Sequence, residues 1–131
     1  MAARAPTSAD IEALAKRALG EIPAELKQHL GAVVIRVDDF PDQETEAAMG
    51  LENPFDLLGL YRGAPLPHRS VSHLHPAVDM IFLYRRPILD YWCENGEDLA
   101  DVVRHVLIHE IGHHFGFSDD DMERIENSDP P

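Results

Sequence analysis

The stretch from about Asn95 to Phe115 constrains this chain most, because it reads as a helix that is apolar almost all the way round. Val102 and Val106 recur at helical spacing on one side, and Leu107, Ile111 and Phe115 form a second apolar flank. Only Asp101, His105 and Gly112 remain for a non-apolar outer strip. A helix hydrophobic on nearly every side has to be enclosed by other elements. Yet the same helix carries His109, Glu110 and His113. Polar groups buried without partners cost kcal/mol, so the fold must supply partners, and a metal ion would be one.

The spacing supports that reading. Each helical residue turns the chain by about 100°, so positions i and i+4 lie only about 40° apart. His109 and His113 can therefore direct ring nitrogens at one ion. Glu110 sits on the adjoining side, where it reaches a metal-bound water more readily than the metal itself. Gly116 permits the positive φ that stops the helix and turns the chain back. Asp119 follows three residues later, where the returning chain meets the ion. Two imidazoles and one carboxylate leave a fourth position open on a single zinc ion, the pattern of a catalytic rather than a structural site. His114 lies about 100° further round and points elsewhere. Asp120 and Asp121 are rivals to Asp119, although Ser118 and Asp121 have capping-box spacing.

The remaining elements define an α+β chain. Thr7 and Asp10 have capping-box spacing before Ile11, Leu14, Ala15 and Leu19, which predicts a first helix closed by Gly20. A short helix is expected from Pro23 to before Gly31, a strand over 31–40, a short helix over 42–49 and a strand over 57–62. Residues 63–75 read as loop. Met80 to Arg86 reads as a third strand ended by Pro87, and it is a candidate for the edge where an extended peptide pairs. Asn95 and Gly96 are expected to open the long helix. Tyr91 and Trp92 help to close the core, with Cys93 buried beside them.

The chain has 131 residues, which suits one domain over 1–131, with flexible ends at 1–6 and 127–131. Asp and Glu number 24 against 11 Lys and Arg, a net charge of -13, which disfavours nucleic acid and anionic membranes as partners. The single cysteine allows no intramolecular disulfide, and no apolar run resembles a signal peptide or a span of roughly 20 residues. A cytoplasmic monomer is the expectation.

His109 to Asp119 forms H-E-x-x-H-x-x-G-x-x-D, and this resembles the zincin metallopeptidases whose third ligand is aspartate. The short chain, three strands and C-terminal motif are similar to the small bacterial mini-zincins. The resemblance implies a small mixed sheet packed on an N-terminal helix and a C-terminal active-site helix. It implies His109, His113 and Asp119 as zinc ligands and Glu110 as the base of peptide hydrolysis. It also suggests Met122 as an apolar floor under the metal; the other reading of Met122 is a core residue beside Ile125. Tyr84, Tyr91, His73 and His75 are the candidates for stabilising the oxyanion, and His73 and His75 are also spaced to bind metal from an extended segment. Two competing functions remain in view: a metal-binding regulatory or interaction module without catalysis, and a metal-dependent ribonuclease of the rRNA-maturation type. The ribonuclease resemblance is weaker, because those enzymes place a histidine third and lack a glutamate matching Glu110.

Overall fold

The computed structural model describes residues 4–63 and 78–127. Helix α1 (Ser8–Glu21) begins at Thr7, whose hydroxyl accepts from the Asp10 amide at 3.1 Å while Asp10 accepts from the Thr7 amide at 2.8 Å. The expected stop at Gly20 is not used. The helix continues to Glu21 and ends at Ile22, which is extended and fully buried. Ile22 precedes Pro23, and a residue before proline is driven out of the helical region.

Helix α2 (Ala24–Lys27) leads to strand β1 (Val33–Asp38). Helix α3 (Gln43–Met49) is capped by Asp42, which accepts from the Thr45 amide at 2.7 Å, and ends at Gly50. A single 3-10 turn, Pro54–Asp56, precedes β2 (Gly59–Arg62). Strand β3 (Asp79–Tyr84) runs directly into helix α4 (Arg85–Asn95), followed by α5 (Leu99–His114) and α6 (Asp119–Glu126).

Two expectations are corrected here. The first concerns Pro87, which lies in the first turn of α4 rather than ending a strand. A helix's opening amides have no internal acceptor, so proline loses nothing there. The second concerns Gly96, which adopts φ 65 and closes α4 instead of opening the long helix. That helix starts only at Leu99, after Asp98.

The sheet has the order β1-β3-β2, with β1 parallel and β2 antiparallel to β3. Strand β3 is therefore central, which overturns its reading as a candidate edge. Its Ile81 and Leu83 are fully buried, and Met80 and Phe82 on the other face are half-buried. A run apolar on both faces suits a central strand, and among the described residues the edges fall to β1 and the short β2. Helices α1 and α5 pack on each other and on one face of the sheet, α1 against β1 and α5 against β2. The row Ile35, Ile81 and Tyr61 lies across that face. Val102, Val103, Leu107, Ile108 and Ile111 of α5 are all fully buried. The sheet and its two helices thus match the expected small mixed sheet packed on an N-terminal and a C-terminal helix. Cys93, expected in the core, is exposed on α4. No helix among the described residues is long and apolar enough to cross a membrane.

Candidate metal centre

The C-terminus of α5 is built to turn the chain back on itself. The Phe117 amide donates to the Gly112 carbonyl at 2.9 Å, and the Gly116 amide donates to the His113 carbonyl at 3.2 Å. This paired closure needs a left-handed residue, which Gly116 supplies with φ 81. Ser118 then caps α6 by accepting from the Asp121 amide at 3.1 Å. Asp119 is the first residue of that helix, so the reversal brings it beside the end of α5.

His113 Nε2 lies 3.6 Å from Asp119 Oδ1, and both side chains are open to solvent. Two donors of one tetrahedral zinc stand about 3.3 Å apart, given bonds of about 2.0–2.1 Å. The His113 and Asp119 pair comes close to that separation, and its imidazole and carboxylate chemistry fits zinc. His109 shares the helical face, with its ring centroid 6.0 Å from that of His113. Its Nε2, however, meets Glu126 Oε2 at 3.2 Å. The ligand atoms of His109, His113 and Asp119 are thus not all within 4.8 Å of one another. Of the rival aspartates, Asp121 is the capping partner of Ser118 and is 3.6 Å from Arg124. His114 is turned away and stacks on Tyr61, with centroids 4.0 Å apart. The Tyr61 hydroxyl donates to the buried Asp79 carboxylate at 2.6 Å.

Glu110 is half-buried at the meeting of two surface grooves. One, of about 300 Å³, is lined by Leu58, Gly59, Tyr91, His105 and His109; the other, of about 440 Å³, by Met49, Leu60, Tyr61, His113 and His114. Burial pushes the Glu110 carboxyl up from 4.5 to about 7, opposed in part by His113. Without metal, the folded protein therefore holds this proton more tightly than the unfolded chain. Between pH 4.5 and 7, raising the pH removes the proton from the unfolded state first and lowers stability. The loss should be on the order of 1 kcal/mol, because solvent still reaches and screens the carboxyl. Urea titrations of metal-free wild type and Glu110→Gln across this range should differ in slope, with the variant flatter. Parallel slopes would contradict the burial effect.

Of the other predicted residues, Met122 is fully buried with its sulfur against Gly112, next to His113 in the chain. Gly112 is accordingly buried too, correcting its assignment to an outer strip. Tyr91 borders the groove that holds His109 and Glu110. Tyr84 is buried, its phenol pushed up by desolvation, and lines neither groove. His73 and His75 lie outside the described residues.

Two residues at the site escape sequence reasoning. His105 Nδ1 lies 2.5 Å from Glu126 Oε1, so one carboxylate touches both His105 and His109. Arg104 holds the end of α6 in place, donating to the Glu126 carbonyl at 2.6 Å. His105 does carry a signal, since it precedes His109 by the same four residues that separate His109 from His113. Glu126 carries no local signal; only the packing of α6 on α5 brings it there.

Among solved structures, the chain is similar to a conserved hypothetical protein from Thermo thermophilus. The two are 24% identical, with a TM-score of 0.51 over 83% of this chain and 94% of that one, a likeness of fold. No curated protein matches the chain. The family model described as zincin-like metallopeptidase matches residues 30–128, which takes in the sheet, the turn at Gly116 and both helices that carry the site. With the motif sitting on the enclosed helix that this fold requires, the chain belongs to the zincin-like metallopeptidase family.

Proposed function

We propose that this protein is a zinc-dependent peptidase in which His109, His113 and Asp119 hold one zinc ion and Glu110 is the general base. The observation that carries the proposal is Glu110 itself, a half-buried carboxyl at the junction of two grooves, within one turn of both histidines. A zinc ion so held would make water acidic enough to ionise near neutral pH and would polarise the scissile carbonyl. Glu110 takes the water's proton on its carboxylate and returns it to the departing amine nitrogen. Its poor solvation as an anion suits it to hold a proton between those steps.

Substrate placement follows from the sheet. Strand β2 is an edge among the described residues, and it and the residues just before it line both grooves through Leu58, Gly59, Leu60 and Tyr61. An extended peptide paired with it would run alongside Glu110. Among the described residues, Tyr91 is the sequence-predicted oxyanion donor that borders this path. A chain with net charge -13 favours such a substrate over a polyphosphate one. The test is digestion of a mixed peptide library by zinc-loaded protein. Cleavage that a chelator stops and added zinc restores is the expected result. Stoichiometric zinc without cleavage of any peptide would instead identify a metal-binding module.

A further inference from the structure

We propose that His105, His109 and Glu126 form a second site for a divalent transition metal of the zinc class, alternative to the first because both need His109 Nε2. The competition for His109 rests on the peptidase reading above; the binding by His105 and Glu126 does not. Histidines at i and i+4 on α5 present ring centroids 4.1 Å apart, and a carboxylate from a different helix reaches both. Among the described residues this is the one group of three such side chains whose ligand atoms all lie within 4.8 Å of one another.

The chemistry suits a borderline-soft cation. Two imidazoles and a carboxylate are ligands that zinc, cobalt and nickel accept. Donors on one such ion stand about 3.3 Å apart. The His109 to Glu126 distance of 3.2 Å already matches, while Glu126 would back away from His105 by less than about 1 Å to admit the ion. Glu126 forms no ion pair with lysine or arginine among the described residues, so no fixed cation competes for the position. The Arg104 contact to the Glu126 carbonyl ties the end of α6 to α5, the helix that carries both histidines. His105 and His109 open on the groove shared with Tyr91, where water can complete the coordination. The acidic chain raises the local concentration of any cation.

Zinc binding by the whole chain, followed by competition with a chelating dye, decides the matter. Wild type should bind one equivalent. The double variant His113→Ala with Asp119→Ala should still bind one equivalent, because the second position keeps all its ligands. Adding His105→Ala to that double variant should weaken binding at least a hundredfold. Circular dichroism of each variant in chelator checks that α5 and α6 remain folded, and His105→Asn repeats the test with a smaller change in polarity. Loss of zinc in the double variant overturns the proposal and leaves the peptidase site untouched. Zinc retained at full affinity after His105→Ala and His105→Asn also overturns it. The peptidase reading fails separately, on peptide cleavage by the wild type.

Discussion

Glu110→Gln should lower peptide cleavage by roughly 10²- to 10⁴-fold, the usual contribution of a positioned general base. Glutamine keeps the volume and one acceptor oxygen of Glu110 but cannot take a proton. Glu110 is not among the proposed ligands, so zinc content should stay at the wild-type level. The loss should appear in kcat rather than KM, because proton transfer belongs to the reaction step and not to peptide binding. Comparison with wild type purified in parallel also excludes a contaminating protease, whose activity the substitution would not touch. Cleavage within tenfold of wild type would move the base elsewhere. Besides the proposed ligands, Asp56, Tyr61, Tyr91, His105 and His114 are the other titratable side chains that line the two grooves.

A second large effect is expected at Gly112, in the turn of α5 between the two proposed histidine ligands. A Cβ built there would overlap the Met122 sulfur and stand 2.7 Å from its Cγ. Met122 is a flexible side chain, but it is fully buried and has no solvent to swing into. Gly112→Ala gains about 1 kcal/mol of helix propensity. Overpacking of this kind costs about 1–3 kcal/mol, and Gly112→Val should fall at or beyond the upper end. Net destabilisation is therefore expected for valine, and a smaller one for alanine. Relief by displacement would push α6 off α5 and carry Asp119 and Glu126 with it, so zinc affinity should fall along with stability. Met122→Ala alone should cost about 2–5 kcal/mol through the cavity it leaves. The double variant Gly112→Ala with Met122→Ala should cost less than the sum, since the added methyl fills part of that cavity. Urea unfolding of wild type, the two alanine variants and their combination measures the coupling. Simple additivity would mean that the two side chains do not meet.

The contact between Gly112 and Met122 shows where sequence reading reaches its limit. Glycine on a helix reads as a small residue facing outward, which puts Gly112 on the outer strip. What decides its burial is a neighbour ten residues further on, folded back by the turn at Gly116. That turn is legible in the sequence, because a left-handed glycine at the end of a helix is a local device. The Thr7 and Asp10 cap is legible for the same reason. Helix α4 is not, since Pro87 suits a strand end and a helix start equally well. The edge strand is misplaced by sequence because apolar residues on both faces of β3 signal burial without saying what lies on either side.

The sequence by itself determined that one enclosed helix presents His109, Glu110 and His113 in a fixed angular relation, and that the chain reverses at Gly116 towards Asp119. Those are consequences of helical geometry and of glycine's backbone freedom, which need no distant partner. Only the tertiary structure decided that His109 faces Glu126, that His105 joins them, and that β2 rather than β3 lines the grooves beside Glu110. Each of these depends on how α6 and the sheet dock against α5. Docking is governed by contacts between residues far apart in the chain, and no local spacing encodes them.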